Sequence, residues 1–296
     1  MKTIRLAIAC VAALCLLSAC ATVASIGTQV AVATGTIDQN TADAIGNVVT
    51  AVSEEITPEE EYYIGRAVAA NILNSYKISN SSQALTTYLN KICNAIVVNS
   101  PMPEIYSGYH VALLDSNEIN AFATSGGHIF VTRGLANSAR SEDALAGVIA
   151  HEIAHIQLQH SIKAIKTSRI TQALLVTGSS AAGVVGLDVD ELTDIFGESV
   201  DEIVTTLVNN GYSQVQEFDA DSTALSLLAG AGYNPSGLID MLRELQTRQS
   251  SQPTGSGFNK THPSPAQRLT NAQRSIGNYQ VTDTSASRQA RFAASR

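Results

Sequence analysis

The stretch His151-Glu152-Ile153-Ala154-His155 places two imidazole side chains four residues apart. On a helix of 3.6 residues per turn, side chains at this spacing lie on one face, one turn from each other. Both can then bind the same divalent ion, with Glu152 placed to take a proton from a water that the metal activates. The alternative for this stretch alone is an amphipathic helix with ordinary histidines. The pattern favours a zinc site that residues elsewhere must complete.

Apolar residues at helical spacing surround this stretch and predict a helix over about 142–160, which Asn137 or Ser141 would cap. The apolar face comprises Ala144, Leu145, Val148, Ile149, Ile153 and Ile156. A helix that is buried on most of its circumference suits a catalytic element, because such an element must hold its side chains still.

Length and composition limit the classes of protein that this chain can be. It has 296 residues, of which 45% are hydrophobic and 15% charged, as in a globular protein of one large domain or two small ones. The formal net charge is −8 and there is no long basic run. We therefore expect no nucleic-acid partner.

The N-terminus resembles a bacterial lipoprotein signal. Lys2 and Arg5 precede an apolar run, 6–17, that is too short for a stable membrane anchor. The run leads into Leu17-Ser18-Ala19-Cys20, so 1–19 would be removed and Cys20 would carry the lipid. An ordinary secretory signal is the alternative. Because Ala21 stands where an aspartate would retain the protein at the inner membrane, we expect an outer-membrane protein that faces the periplasm.

Cysteine usage agrees with export without a disulfide framework. Cys10 and Cys15 fall within the signal and Cys20 would be acylated, which leaves Cys93 alone. Cys93 lies in an apolar-periodic segment and is expected to be a small buried hydrophobe.

The rest of the chain predicts an α+β fold, mostly helical, with a small three- to four-stranded sheet beside the helix at 142–160. Residues 20–54 are expected to form a tether, 55–277 the folded domain and 278–296 a flexible tail. Predicted helices begin at Thr57-Pro58 and cover about 82–98, 162–178, 189–209, 212–229, 236–246 and 265–276, with a loop at 249–261. Predicted strands cover 109–114, 119–123 and 128–132, and Ser125-Gly126-Gly127 supplies a turn.

A catalytic zinc needs a third protein ligand. His160 lies five residues after His155, about 140° around a continuous helix, so it cannot easily share the ion. His110 and His128 fall in predicted strands and are expected to be structural. These exclusions leave His262 or a carboxylate.

The candidate carboxylates are Glu217 and Asp221, four residues apart on a predicted helix. This spacing puts them on the same face, where one can bind the metal while the other accepts the N–H of a ligating imidazole. The alternative for these two residues alone is a solvated acidic face.

Five segments in order resemble the M48 family of zinc metallopeptidases, which are gluzincins, and in particular its bacterial lipoprotein members. In chain order they are Asn120-Ala121-Phe122-Ala123, the run 126–135, His151–His155, Glu217-Phe218-Asp219-Ala220-Asp221 and the run 261–269. The resemblance covers about 55–277 and implies a zincin domain.

The resemblance implies a role for each motif residue. One zinc ion per chain would be bound by His151, His155 and Glu217, with Glu152 as general base. Asp221 and Arg268 would support the site from outside. His262 would lie near the metal, either to stabilise the oxyanion or to occupy the fourth position at rest. The segment Asn120, Ala121, Phe122 and Ala123 resembles the edge strand on which gluzincins align a peptide.

We therefore expect a zinc-dependent endopeptidase of the bacterial cell envelope, attached to the membrane only through its lipid, that cleaves unfolded or misassembled proteins. The alternative is an envelope chaperone or assembly factor that binds metal and has little proteolytic activity. The intact Glu152 favours the enzyme, because a pure scaffold has no need of a general base.

Overall fold

The computed structural model describes residues 56–80, 82–163, 204–205, 211–249, 261–262, 265–279 and 285–295. Apart from Ile56, these belong to one compact unit, which comprises Thr57–Lys163 and Gly197–Arg296. The predicted signal, Cys20 and the tether lie outside the described residues. So do most of the two helices predicted within 162–209 and most of the loop predicted at 249–261.

Helices dominate the described part of the chain. They are α1 (Pro58–Ser75), α2 (Gln83–Val98), α3 (Arg133–Ser138), α4 (Glu142–Gln157), α5 (Gln214–Gly230), α6 (Ser236–Gln249), α7 (Pro265–Ser275) and α8 (Ser285–Ala294). Among these residues, no helix combines the length and the apolar character that crossing a membrane requires.

The helix starts follow local sequence signals. Thr57 caps α1 in a reciprocal capping box: its hydroxyl accepts from the Glu60 N–H at 3.2 Å, and the Glu60 carboxylate accepts from the Thr57 N–H at 2.8 Å. Ser141 caps α4 by accepting from the Ala144 N–H at 3.1 Å. Ser213 caps α5 through the same kind of box as Thr57. The caps predicted at Thr57 and at Ser141 are confirmed.

A three-stranded mixed sheet lies beside α4. Its strands are β1 (His110–Leu114), β2 (Ala121–Thr124) and β3 (His128–Thr132), in the order β1-β3-β2. β1 is parallel to β3, with Ala112 opposite Phe130, and β2 is antiparallel to β3, with Phe122 opposite Phe130. The turn Ser125–Gly127 needs glycine, because Gly126 and Gly127 have φ values of 76° and 96°. The predicted α+β class is confirmed.

Helix α4 runs through the core. Every residue from Ala144 to Ile156 is buried, and the helix packs against α2, α5, α6 and the sheet. Gly147 permits the close approach of α6, since a Cβ atom there would lie 2.8 Å from the backbone of Leu238. Packing on several sides holds the motif residues of α4 in place.

Helix α4 ends at Gln157, earlier than the predicted His160. Gln159 has a φ of 53°, in the left-handed region, and residues 160–163 then resume helical structure. This break changes the direction in which His160 points, so the angle calculated for a continuous helix does not apply to it.

The prediction of a flexible tail is wrong for residues 285–295, which contain α8. The Arg288 Nε lies 2.8 Å from a carboxylate oxygen of Asp143, and Arg291 forms a two-pronged ion pair with Glu142. These arginines satisfy acidic side chains at the start of α4, which explains why a polar segment docks there instead of remaining loose.

Candidate metal centre

Three separate segments bring four potential metal ligands together. His151 and His155 come from α4, Glu217 from the first turn of α5, and His262 from the short segment 261–262. All four are buried, with exposures of at most 2%, and one ligand atom of each lies within 4.8 Å of the others. The two alternatives for the third ligand, a histidine and a carboxylate, are both present in the cluster.

The spacing of these atoms fits a tetrahedral ion. The Nε2 atoms of His151 and His155 lie 3.1 Å apart, and His151 Nε2 lies 3.3 Å from His262 Nδ1. Glu217 Oε1 lies 3.0 Å from His262 Nδ1 and 3.5 Å from His155 Nε2. Tetrahedral zinc with bonds of about 2.0–2.1 Å keeps its ligand atoms about 3.4 Å apart. A donor set of imidazole nitrogens and carboxylate oxygen is also one that zinc prefers.

Glu152 lies beside this cluster with its carboxylate unused. The residue is fully buried, and neither oxygen accepts a hydrogen bond within the part of the chain that the structure describes. Its Oε1 lies 3.6 Å from His262 Nε2. Burial raises the pKa of Glu152, against the opposing charges of His262 and His151. A buried carboxylate left in this state is a group available for proton transfer.

Glu217 stays ionised although it is buried. Burial alone would raise its pKa, but the positive charge of Arg268, assisted by His262 and the hydrogen bonds with the two helix histidines, holds that pKa well below the usual range. Arg268 Nη1 lies 2.8 Å from Glu217 Oε2, on the side away from the oxygen nearest His262. One oxygen of Glu217 is therefore paired with Arg268, and the other faces the histidines.

The outer nitrogen of His151 meets a carboxylate. Its Nδ1 lies 3.0 Å from Asp221 Oδ1, and Asp221 in turn accepts two hydrogen bonds from Arg268, at 2.8 and 2.7 Å. Burial would raise the pKa of Asp221, but Arg268 and His151 lower it to about 2. Burial and Arg268 lower the pKa of His151, whereas hydrogen bonding to Asp221 and Glu217 outweighs them and raises it to about 9. A metal ion must therefore displace a proton from this ring.

The outer nitrogen of His155 has a different partner. Its Nδ1 lies 2.9 Å from His160 Nδ1, and its ring stacks on Tyr212 with 4.1 Å between the centroids. Burial holds the pKa of His155 well below its ordinary value, and burial together with Lys163 lowers that of His160 to about 4. Both imidazoles are therefore neutral near pH 7, the form in which histidine binds metals.

Strand β2 lies against the site at the edge of the sheet. It pairs with β3 on one side and with no described strand on the other. Asn120, just before it, accepts at Oδ1 from the Ala121 N–H at 2.9 Å and from the Thr261 hydroxyl at 3.0 Å. Since Thr261 precedes His262, the Asn120 side chain connects the start of β2 to the segment that carries the fourth potential ligand.

A model of the family described as Peptidase family M48 matches residues 83–276, about two thirds of the chain and all four ligand candidates. This chain belongs to peptidase family M48. The resemblance seen in the five sequence motifs is thereby confirmed.

Several curated proteins are similar to the chain. Metalloprotease LoiP of Escherichia coli K12 is 31% identical over 191 residues, which are 64% of this chain and 68% of that protein. Metalloprotease YcaL of the same strain is 24% identical over 265 residues, 89% of this chain and 94% of that protein. The beta-barrel assembly-enhancing protease of that strain is 26% identical over 246 residues, 79% of this chain but 47% of that protein. The chain thus spans about half the length of that relative.

The structure brings together the residues that the M48 resemblance implies, including Arg268, which lies against both Glu217 and Asp221. The sequence does not reveal His160 and Tyr212 as neighbours of the candidate metal ligand His155. His160 is five residues from His155, and only the break at Gln159 turns it back over that ring. Tyr212 stands at the start of a predicted helix and has no motif to mark it. Cys93 is buried as expected, and burial raises the pKa of its thiol to about 12.

Proposed function

We propose that this protein is a zinc-dependent endopeptidase of the bacterial cell envelope. The observation that carries this proposal is a buried cluster of four ligand atoms beside a buried carboxylate, Glu152, with no hydrogen-bond partner among the described residues. Membership of family M48 supports it, as do the metalloprotease names of its relatives.

The residues that would hold zinc are His151, His155 and Glu217. Two imidazoles and one carboxylate form a donor set found in catalytic zinc sites, which keep a fourth position for water or substrate. When bound, zinc supplies a Lewis acid that polarises a carbonyl and lowers the pKa of water. Arg268 keeps Glu217 ionised, and Asp221 orients the ring of His151, so both residues prepare the site for the ion.

Glu152 would act as the general base and then as the acid. Its carboxylate accepts the proton of the attacking water and passes it to the amine that leaves when the peptide bond breaks. Burial raises the pKa of Glu152, which favours the return of a proton that its carboxylate has taken. Because neither oxygen accepts a hydrogen bond from a described residue, no bond to those residues competes with the transfer of the proton.

His262 would occupy the fourth position at rest. Its Nδ1 lies within the ligand cluster, 3.3 Å from His151 Nε2, and its Nε2 faces Glu152. For a peptide carbonyl to reach the cluster, this ring must withdraw. Once displaced, the same side chain would donate a hydrogen bond to the developing oxyanion, which is the second role that the family resemblance implies.

The substrates would be unfolded or misassembled envelope proteins. An extended peptide would add to the side of β2 that pairs with no described strand, near Ala121–Ala123, through main-chain hydrogen bonds that do not depend on sequence. The name of the beta-barrel assembly-enhancing protease associates one relative with protein assembly. We extend that association to this chain as part of the proposal.

The protein would be located at the periplasmic face of the outer membrane. Residues 1–19 would be removed, Cys20 would carry the lipid, and 20–54 would link it to the peptidase domain at 55–277. Replacement of Cys20 by serine should release the mature protein from membranes on fractionation. Membrane association that persists in this variant would contradict a lipid anchor at Cys20.

A metal-binding chaperone or assembly factor with little proteolytic activity is the second candidate. The position of His262 favours this second candidate, because a ring that stays in the fourth position would exclude substrate. The presence of Glu152 beside the cluster favours the peptidase.

Cleavage of a permanently unfolded protein separates these two candidates. Zinc-loaded protein should cleave it, chelator-treated protein should not, and restored zinc should recover the activity. Equal cleavage with and without chelator would refute the role of the metal. Stoichiometric zinc with no cleavage, together with suppressed aggregation of the unfolded protein, would favour the chaperone.

A further inference from the structure

The two helix histidines are supported in different ways at the nitrogens that face away from the ligand cluster. His151 Nδ1 meets the carboxylate of Asp221 at 3.0 Å, whereas His155 Nδ1 meets the imidazole of His160 at 2.9 Å. The Nε2 atoms of both rings lie in the cluster, 3.1 Å apart. Metal-binding histidines usually donate the outer N–H to a carboxylate, a backbone carbonyl or water, so the imidazole partner of His155 is unusual.

We infer that His160 is a positioning residue for the metal site, which fixes the ring orientation and the tautomer of His155 by accepting its Nδ1–H at His160 Nδ1. This inference rests on the proposed ligand role of His155. If His155 binds the metal through Nε2, the proton of the neutral ring must reside on Nδ1. His160 must then present a lone pair at its own Nδ1, because two N–H groups cannot share one hydrogen bond.

The backbone supports this role at some cost in conformational energy. His160 follows a break in the helix at Gln159, whose φ of 53° is unfavourable for a residue other than glycine. Two hydrogen bonds hold Gln159 in place. Its backbone N–H donates to Ile156 O at 2.9 Å, and its side-chain amide donates to Glu61 on α1 at 3.0 Å. Left-handed residues of this kind are concentrated near functional sites. Here the break directs His160 back over the ring of His155.

A stacked aromatic ring completes the support. Tyr212 is 4% exposed and lies nearly parallel to His155, with an interplanar angle of 19° and 4.1 Å between centroids. The stacked Tyr212 ring resists tilting of the His155 ring out of its plane. The contact with His160 fixes the position of Nδ1 within that plane. Together they define where Nε2 points.

The position of the shared atom makes the inference testable with two similar amides. Asparagine can present its side-chain oxygen near the position of histidine Nδ1, whereas the longer glutamine reaches the position of Nε2. His160→Asn should therefore retain the contact with His155, and His160→Gln and His160→Ala should lose it. The measurements are the zinc dissociation constant, from competition with a chromophoric chelator, and the visible absorption of the Co²⁺-substituted protein, which reports ligand geometry.

We expect His160→Ala and His160→Gln to weaken zinc binding by about 10–100-fold and to alter the Co²⁺ spectrum, as loss of an outer partner does. His160→Asn should stay within about threefold of the unchanged protein, with its Co²⁺ spectrum preserved. Thermal unfolding of the metal-free variants reports folding separately, and the comparison of Asn with Gln remains decisive if the alanine variant is unstable.

Glutamine equal to asparagine, or an alanine variant with unchanged affinity and spectrum, would overturn the inference while the metal site stands. If the unsubstituted protein binds neither Zn²⁺ nor Co²⁺, the proposed function fails first and the role of His160 fails with it. The two failures are thus distinguished by the unsubstituted protein in the same series.

Discussion

Helix α4 carries a buried glutamate near each end, and the two have opposite surroundings. Glu142 is 1% exposed and accepts hydrogen bonds from Tyr88, at 2.7 Å, and from Arg291. Glu152 is 0% exposed, and neither of its oxygens accepts a hydrogen bond from a described residue. Hydrogen bonds to Glu142 offset the cost of burying its charge, whereas no hydrogen bond from a described residue does so for Glu152, which makes Glu152 the candidate for proton transfer.

The same contrast applies to the neighbours of each glutamate. Asp143, next to Glu142, pairs with Arg288 and accepts the Asn234 N–H at 2.9 Å. His151, next to Glu152, directs its Nε2 into a cluster of other potential ligands. The start of α4 therefore pairs with other parts of the fold, and its second half presents the candidate metal ligands and Glu152.

The largest effect is expected from Glu152→Gln. An amide cannot accept the proton, so kcat should fall by about 10²–10⁴-fold, the usual contribution of a general base. Zinc content should remain the same, and the melting temperature of the metal-free protein should not fall, because the change removes a buried charge that accepts no hydrogen bond from a described residue. Peptidase assays, zinc analysis and calorimetry check the three parts. Normal turnover in this variant would remove Glu152 from the mechanism.

The second effect concerns the support of His151. Asp221→Asn removes the negative charge that pairs with Arg268 and with the ring of His151, so zinc affinity should fall by about 10–100-fold. Asp219→Asn is the matched control on the same helix, because Asp219 is exposed. Chelator competition measures both. Equal zinc affinities in the two variants would show that Asp221 does not support the metal ligand.

A smaller effect is expected from a substitution at the start of α4. Glu142→Gln should lower the free energy of unfolding by about 1–3 kcal/mol, since it weakens charged hydrogen bonds to a buried group. Activity per folded molecule should stay close to normal because the residue lies far from the cluster along the helix. Denaturant titration and kcat measure the two quantities. A loss of kcat without a loss of stability would reverse the comparison between the glutamates.

The smallest effect is expected in the free energy of unfolding when a buried arginine and an exposed arginine are each replaced. Arg288 has a side-chain exposure of 4%, and Arg288→Gln should cost about 1–2 kcal/mol of unfolding free energy. Arg243 pairs with Asp240 at the surface, where the two side chains are 54% and 58% exposed, and Arg243→Gln should cost at most about 0.5 kcal/mol. Equal costs would mean that α8 contributes no more than a surface ion pair.

Local signals in the sequence were sufficient for much of the fold. The helix around His151, the cap at Thr57 and the turn at Ser125–Gly127 depend on residues close together in the chain, and all three are confirmed. The parallel pairing of β1 with β3 was not predicted, because it joins segments that are separated by β2 and has no local signature.

The candidate site shows the same limit at the level of single residues. Glu217 could be proposed from its spacing to Asp221 and from the family motif. His160 could not, because its position depends on one left-handed residue, Gln159, that a helical period cannot foresee. The ion pairs of Arg288 and Arg291 with the start of α4 were not predicted either, because their acidic partners, Asp143 and Glu142, are 145 and 149 residues earlier in the chain.

Diffraction from zinc-loaded crystals, recorded on both sides of the zinc absorption edge, would locate the metal directly. We predict one anomalous peak per chain, about 2.0–2.2 Å from Nε2 of His151, Nε2 of His155 and a carboxylate oxygen of Glu217, with Glu152 nearby but not bound. No peak at this cluster, or a peak bound elsewhere or by Glu152, would refute the proposed zinc site.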